Sequence, residues 1–254
     1  MKRVLIASPF KLGARASYIG TILDVMTEGI PDCNVAYVAM EGPAVNFQRN
    51  ELAYYAVSQN YDRLVMVDED MKLTRGDFVR LLSHDVPVVA GPYCVKRDGP
   101  PKWLYRTTEG AEQRPDGLVA CDYVATGFIS ISTACLRAIA DKSPERYFNR
   151  QEDADEAIAP RFDWFPMEVV GEGSFESRMR KVEAILTWAG KDEKSALRAI
   201  RETVESPQEM GRMLGEDYGF CRLARGAGQT LYVDAGMPTI PHLGEAAYPL
   251  RPTP

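Results

Sequence analysis

The sequence predicts an α/β protein in which helices flank a mixed, mostly parallel sheet. Over roughly the first 90 residues, short apolar runs alternate with segments of ten or more residues that carry apolar side chains at helical spacing. This alternation is typical of βαβ units, whose crossover helices leave consecutive strands parallel. The chain has 254 residues and is 45% hydrophobic, which permits one domain with a sizeable core.

These patterns give four strands and three helices in the first part of the chain. The strands are predicted at 4–7, 35–38, 64–67 and 86–90. Ser8 and Pro9 are expected to end the first strand. The helices are predicted at 14–28, 46–58 and 74–82. Thr74 is the expected N-cap of the third helix, because its hydroxyl can accept a hydrogen bond from a backbone N–H of the first turn.

The middle of the chain lacks this alternation. Strand-like runs at 102–105, 118–124 and 128–132 have no long helices between them, so we expect antiparallel or mixed strands added to one side of the sheet. Residues 141–160 are polar and mostly acidic, and they predict a loop.

The last third of the chain predicts a helical insertion within a single domain that spans residues 1–254. Residues 172–210 carry two apolar stripes separated by Gly190, which is the pattern of an amphipathic helical hairpin. A helix at 216–225 and a strand at 231–233 follow it.

Composition and charge disfavour several classes of protein. The formal net charge is −6, and no basic run supplies a phosphate-binding stripe. The five cysteines are widely spaced and form no C-x-x-C pair, which disfavours a disulfide framework or a zinc site and favours a reducing compartment such as the cytoplasm. The apolar run at the N-terminus is short for a signal peptide, and no segment has the apolar length of a membrane span.

Three common motifs do not occur in the sequence. There is no G-x-x-x-x-G-K-[ST] loop, no G-x-G-x-x-G after the first strand and no G-x-S-x-G elbow. Their absence lowers the odds of a P-loop NTPase, a Rossmann dehydrogenase or an α/β-hydrolase.

Three acidic residues, Asp68, Glu69 and Asp70, directly follow the predicted strand RLVMV. Ligands of open α/β sheets lie beyond the carboxyl ends of the strands. Two carboxylates one residue apart at that edge can hold a divalent cation together with a diphosphate. An exposed acidic turn is the alternative, and the apolar strand before it favours the functional interpretation.

A second acidic pair, Glu216 and Asp217, opens the predicted helix at 216–225. Acidic side chains in a first turn often only complement the helix dipole. The functional alternative is a general base, because a carboxylate beside a bound sugar can accept the proton of an attacking hydroxyl.

The chain has two histidines. His84 lies late in a predicted helix, in LLSHD, and is expected to be a surface or capping residue. His242 follows the last predicted strand, where an imidazole could complete a metal site. A structural or solvated role is the alternative for His242.

Two further segments offer contacts to a ligand. In Asn46-Phe47-Gln48-Arg49-Asn50, at the start of the second predicted helix, the guanidinium could meet a nucleotide or diphosphate. A partly exposed helix face is the alternative for that segment. In Ala125-Thr126-Gly127-Phe128, the glycine permits close approach of the backbone to a ligand, or marks a bulge.

The order of these motifs resembles the inverting GT-A glycosyltransferases, of the family-2-like kind. The motifs are SPF at the first strand, N-x-x-R-N, D-E-D, VVAGPYCVK, T-G-F, G-E-D and a late histidine, and they cover roughly residues 1–135 and 211–245. The resemblance implies a Rossmann-like GT-A fold and transfer of a sugar from a nucleotide-sugar donor to an acceptor hydroxyl with inversion. Residues from about 141 to 210 depart from the family's pattern, so the acceptor stays open.

The resemblance also implies roles for individual residues. Asp217 matches the catalytic base, and Glu216 beside it is the second catalytic candidate. The implied metal ligands are Asp70, Asp68 and His242. The implied donor contacts are Pro9, Arg49, Asn50, Asp68, Lys96 and Gly127.

The implied cofactor is a divalent metal, Mn²⁺ rather than Mg²⁺, because an imidazole ligand suits the softer ion. The implied donor is a UDP-sugar, and the acceptor candidates are a glycan, a lipid-linked sugar, a protein side chain or a hydroxymethylated base in phage DNA. Two alternatives share the fold: a nucleotidyltransferase that makes a nucleotide sugar, and a non-catalytic binding module. The first of these usually has a glycine-rich basic loop after the first strand, where this chain has SPFKLGARAS.

Overall fold

A computed structural model of the chain describes most of its residues. The described residues are 1–10, 16–42, 44–96, 101–149, 160–170, 212–243 and 247–248. The helical hairpin predicted at 172–210 lies outside them.

Strands and helices alternate through the first part of the described chain, as the sequence predicts. The strands are β1 (Lys2–Phe10), β2 (Cys33–Glu41), β3 (Arg63–Val67), β4 (Val88–Ala90), β5 (Tyr105–Thr107), β6 (Leu118–Val124), β7 (Phe128–Ser132), β8 (Tyr147–Phe148), β9 (Arg161–Phe162), β10 (Glu168–Val170), β11 (Arg212–Leu214), β12 (Leu231–Asp234), β13 (His242–Leu243) and β14 (Ala247–Tyr248). The α-helices are α1 (Ala16–Glu28), α2 (Val45–Ser58), α3 (Arg75–Ser83), α4 (Thr133–Lys142) and α5 (Glu216–Gly226).

One mixed sheet of eight strands, in the order β2-β1-β3-β7-β4-β12-β6-β5, forms the body of the fold. β6 and β7 run antiparallel to the other six strands, so the prediction of a mostly parallel sheet is confirmed. The sheet centre is apolar, and all five residues of β3 are buried. Helices pack against this sheet, which makes the fold α/β.

The first strand is longer than predicted and does not end at Ser8. β1 continues through Pro9 to Phe10, and Pro9 lies opposite Met40 of β2. The pairing of β1 with β3 stops earlier, at Ala7 opposite Met66. Residue 9 therefore has a strand neighbour on one side only, where a proline without an N–H is tolerated.

The antiparallel strand β7 lies in the middle of the sheet, where we expected added strands on one side only. It pairs with β3 through Val67 opposite Phe128, and with β4 through Ala90 opposite Ile129. Only β5 and β6 match the prediction of strands added at one edge. Because a strand pattern in sequence reports burial and not neighbours, it cannot specify the insertion of β7.

The segment after β7 contains more regular structure than we predicted. Ser132 caps α4, which the sequence reading missed, by accepting a hydrogen bond from the N–H of Cys135. The expected loop at 141–160 includes a 3₁₀ turn at Pro144–Arg146 and then β8, which pairs with β9. Residues 150–159 of that loop lie outside the described residues.

The chain divides into two compact units. The first consists of Met1–Pro166 with Asp217–Pro254 and contains the eight-stranded sheet, and the second is Met167–Glu216, in which β10 and β11 pair antiparallel. A single domain over residues 1–254 stays a prediction. Within the described part of the chain, no helix is both long and apolar enough to cross a bilayer.

A buried carboxylate, Asp234, ties α3 to the end of β12. Arg80 donates to it from Nε at 2.7 Å and from Nη2 at 2.8 Å, and His84 Nε2 donates at 2.8 Å. His84 is the C-cap residue of α3 and is buried, so its capping position is confirmed and its expected surface position was wrong.

We expect Asp234→Asn to lower the free energy of unfolding by about 2 kcal/mol, because two buried or half-buried donors lose the charge that they contact. Burial raises the pKa of Asp234, but Arg80 and His84 lower it more, so the folded pKa lies below its usual value. Such a carboxyl stabilises the fold above its unfolded pKa and loses that contribution as pH falls. The wild type should therefore lose more stability on acidification than the variant does.

Urea unfolding at pH 7 and at about pH 3.5 measures both effects. Asp116→Asn is the matched control, since it breaks a surface pair with Arg114 at 2.8 Å and should cost under about 0.5 kcal/mol. Equal stability of Asp234→Asn and the wild type at pH 7 would contradict the assignment.

Candidate active site

A cavity of about 280 Å³ opens beside the carboxyl ends of β1 and β3 and the start of α2. Its lining residues are Pro9, Gly42, Val45, Gln48, Asp68, Glu69 and Asp70. The structure thus brings Pro9 and the acidic triplet together at the strand ends, which is where open α/β sheets bind ligands.

Gln48 builds one wall of this cavity, and the sequence reading did not single it out. Its Nε2 donates to the carbonyl of Phe10 at 2.7 Å and to that of Gly42 at 2.9 Å. The side chain therefore holds the ends of β1 and β2 against α2. Its place next to Arg49 in the quoted motif was the only available signal.

Arg49 lies behind Asp68 and is 3% exposed. Its Nη2 donates to Asp68 Oδ1 at 2.9 Å, and its Nη1 donates to the carbonyl of Thr126 at 3.4 Å. Arg49 therefore lies beside the acidic triplet, as predicted. Its position favours a role in orienting Asp68 over direct contact with a nucleotide-sugar donor. A charge-assisted pair of this kind fixes the carboxylate's rotamer as well as neutralising it.

Asn50 is placed away from the cavity, although we predicted a donor contact for it. Its Nδ2 donates to Asp163 Oδ1 at 2.7 Å, and its Oδ1 accepts from the N–H of Phe165 at 2.9 Å. Both ends of the amide are thus bonded within the protein. Asn50 fastens residues 163–165 to α2, so this position gives the predicted donor contact no support.

Asp70 contacts Lys96, a predicted donor contact, and His242, a predicted metal ligand. Its Oδ2 pairs with Lys96 Nζ, and its Oδ1 lies 3.4 Å from His242 Nε2. Burial raises the pKa of Asp70, but His242 and Lys96 outweigh it and lower the pKa to about 2. Asp70 is therefore a carboxylate at neutral pH.

The orientation of His242 is set from its other side. Its Nδ1 lies 3.0 Å from the carbonyl of Cys94 and must donate to it, since a carbonyl only accepts. In the neutral imidazole, Nε2 is then an unprotonated acceptor that faces Asp70 Oδ1. Two acceptors at that distance repel each other unless a cation lies between them or the ring is protonated.

These contacts test whether the predicted metal ligands could hold a divalent ion. Asp70 Oδ1 is buried and accepts no hydrogen bond from a described residue, so it has ligating capacity toward His242. Among the residues that the structure describes, no group of three His, Cys, Asp or Glu side chains is arranged to hold a metal. The predicted trio is therefore not assembled: Asp70 Oδ1 and His242 Nε2 lie 3.4 Å apart, while Asp68 pairs with Arg49.

Asp217, in the first turn of α5, is held by two hydroxyl groups. Thr126 Oγ1 donates to its Oδ1, and the hydroxyl of Tyr123 donates to its Oδ2 at 3.3 Å. Burial and the charge of Asp217 raise the pKa of Tyr123 well above its usual value, so the phenol keeps its proton. Tyr123 also stacks on Tyr218, with ring centroids 3.8 Å apart. Glu216 is the first residue of α5, and its predicted catalytic role stays a prediction.

The backbone of Gly127 lies between Asp68 and Tyr93 and bonds to both. The N–H of Asp68 donates to its carbonyl at 2.8 Å, and its own N–H donates to the hydroxyl of Tyr93 at 2.7 Å. A Cβ at this position would lie 2.4 Å from the Tyr93 oxygen and 2.9 Å from Asp68 Oδ2. Glycine is thus required by close approach of protein groups, while the predicted contact with a donor stays a prediction.

Tyr93 contacts both His242 and Gly127. The sequence did not predict a role for it. Its ring meets that of His242 edge to face, with centroids 5.3 Å apart. Burial, together with Asp217 and Asp68, raises its pKa well above the usual value, so it is a neutral phenol. Tyr93 lies in the quoted VVAGPYCVK, but a single tyrosine in an irregular segment has no periodicity that reveals its burial.

Comparisons with known proteins give distant similarities only. No protein-family model matches the chain, and no curated protein does. Matching solved structures include A197 from STIV (TM-score 0.39, 19% identity, over 53% of this chain and 67% of that one). They also include mannose-1-phosphate geranyltransferase from Thermus thermophilus (TM-score 0.39, 10% identity, over 56% of this chain and 60% of that one).

A third solved structure is 4-diphosphocytidyl-2C-methyl-D-erythritolsynthase from Anaerococcus prevotii (TM-score 0.33, 12% identity, over 60% of this chain and 80% of that one). Similarities at this level do not assign an activity. The geometry of the site is therefore the ground on which a function is proposed.

Proposed function

We propose that the chain is a glycosyltransferase that moves a sugar from a nucleotide-sugar donor to an acceptor hydroxyl with inversion. One observation carries the proposal: the turn Thr126-Gly127 is hydrogen-bonded to both Asp68 and Asp217, one through each of its two residues. The Gly127 carbonyl accepts from the backbone N–H of Asp68, whose side chain lines the cavity at the strand ends, and the Thr126 hydroxyl donates to the Asp217 carboxylate. A donor site beside one carboxylate and a base beside the other is the arrangement that direct transfer needs.

The cavity is the donor side of the proposed site. A nucleoside diphosphate is anionic, whereas Asp68, Glu69 and Asp70 line the cavity with carboxylates. Such a ligand binds there only with a cation between the two sets of negative charge. Lys96 at Asp70 supplies one positive charge, and the resemblance to GT-A enzymes favours a UDP-sugar as the ligand.

The second source of positive charge would be a divalent ion, which Asp70 and His242 would hold. A bound divalent ion would stabilise the negative charge that develops on the departing diphosphate. One oxygen and one imidazole ligand favour Mn²⁺ over Mg²⁺.

The acceptor side is built on Asp217. In the proposed reaction its carboxylate takes the proton of the acceptor hydroxyl, and the oxygen attacks the anomeric carbon opposite the diphosphate. The new C–O bond forms as the bond to the diphosphate breaks, which inverts the anomeric centre. The proposed acceptor is a glycan or a hydroxymethylated base in phage DNA, because small stand-alone GT-A proteins that the chain resembles also occur in phages.

We expect a nucleoside diphosphate and Mn²⁺ to bind together in the cavity. Calorimetry with UDP should give at least about tenfold weaker binding when a chelator removes the metal, because the ion offsets the charge of the acidic triplet. Equal affinity in both conditions would contradict the metal's role.

A turnover assay then separates the proposed activity from the alternative one. UDP-hexoses with Mn²⁺ should release UDP slowly even to water, whereas a nucleoside triphosphate with a sugar phosphate should release no pyrophosphate. Release of pyrophosphate would identify a nucleotidyltransferase instead.

A further inference from the structure

We propose that Thr126 is a positioning residue that orients the carboxylate of Asp217 for its attack on the acceptor proton. The inference rests on the proposed function, which makes Asp217 the general base. No role was predicted for Thr126, although it stands in the quoted motif beside Gly127. Its side chain is fully buried.

Thr126 is fixed at two points. Its Oγ1 donates to Asp217 Oδ1, since the carboxylate can only accept, and its carbonyl accepts from Arg49 Nη1 at 3.4 Å. Arg49 in turn pairs with Asp68 at 2.9 Å. Thr126 therefore bonds to Asp217 through its hydroxyl, and its backbone is linked to Asp68 through Arg49.

The position of Asp217 explains why it needs this hold. A side chain in the first turn of a helix can turn toward the helix N-terminus, where free backbone N–H groups attract a carboxylate. Thr126 and Tyr123 each bond one of its two oxygens, which fixes its rotation. Misplacement of a reacting group by about 1 Å can cost a hundredfold in rate, so loss of one bond should affect turnover more than binding.

The test compares Thr126→Val, which keeps the shape and removes the hydroxyl, with Thr126→Ser, which restores it. For Thr126→Val we expect kcat for hydrolysis of a UDP-hexose to fall about tenfold or more, with UDP affinity within about twofold of wild type. Thr126→Ser should recover most of that loss. Thr126→Ala gives the same comparison if the added methyl of valine is not accommodated.

Thr21→Val is the matched control, because Thr21 is also buried and its hydroxyl donates to the carbonyl of Leu73 at 2.6 Å, away from the cavity. It should leave kcat unchanged. In an Asp217→Asn background, Thr126→Val should cause no further loss, because the hydroxyl acts on turnover only through the carboxylate that Asp217→Asn already removes. Additive losses, or a fall in kcat that serine does not rescue, would overturn the positioning role.

A second readout does not need turnover. The pKa of the Asp217 carboxyl, followed by ¹³C NMR and assigned with Asp217→Asn, should rise in Thr126→Val and not in Thr126→Ser, because a hydrogen bond to the charged form is lost. The Asp217 pKa could rise in Thr126→Val while the protein shows no activity on any UDP-hexose. That result would refute the proposed function but support the link between Thr126 and Asp217. An unchanged pKa would refute that link whatever the activity.

Discussion

Asp217→Asn is expected to cut sugar transfer by about two to four orders of magnitude, the usual loss when a general base is removed. Asparagine keeps the size of the side chain, its one oxygen can still accept from Thr126, and its amide nitrogen can donate to the Tyr123 hydroxyl, so the local structure should persist. Donor and metal binding should change little, because the cavity is lined by other residues. Transfer rate and UDP affinity, measured together, separate the chemical step from binding.

Glu216→Gln is the matched control for this substitution, since it removes the adjacent carboxylate. It should reduce the chemical step much less than Asp217→Asn does. Near-normal transfer by Asp217→Asn would mean that another group takes the proton, and the proposed mechanism would then fail at its central step.

Asp70→Asn should abolish metal-dependent turnover and weaken Mn²⁺ binding by about a hundredfold or more, because even groups that only orient a ligand cost ten- to a hundredfold. The variant removes the charge that faces both Lys96 and His242. Electron paramagnetic resonance of free Mn²⁺ measures affinity directly, without an acceptor. The fold should be retained, as thermal unfolding can verify.

Glu69→Gln is the control here, because it also removes one negative charge from the cavity lining. A similar loss of Mn²⁺ affinity in both variants would indicate a general charge effect in place of ligation by Asp70. Unchanged metal dependence in Asp70→Asn would refute its role as a ligand.

Local signals predicted the elements that depend on local chemistry. β6 and β7 have the predicted bounds because their apolar runs end at Ala125 and Thr133, where the chain turns or starts a helix. Thr74 caps α3 as expected, with its side chain bonded reciprocally to Asp77. These features need no knowledge of distant residues.

The features that the sequence did not predict are those that only distant residues decide. For Arg49 and Asn50 the sequence left open a ligand contact or a partly exposed helix face; both residues are buried, since Asp68 and Asp163 provide partners from elsewhere in the chain. Asp70 and His242 were predicted together as metal ligands and do lie close to each other, but the role itself stays a prediction. The pairing of Asp68 with Arg49, and the buried Tyr93, follow from packing that no sequence period reports.

The place of β12 between β4 and β6 bears on how the chain acquires its fold during synthesis. Leu231 lies opposite both Val88 of β4 and Cys121 of β6. These two strands are synthesised well before β12, the strand that pairs with both. Contacts between residues far apart in sequence slow folding, and apolar strands with open edges are where nascent chains associate wrongly. Until β12 is synthesised, β4 and β6 lack the strand that lies between them, so the addition of β12 is the step that closes this part of the sheet.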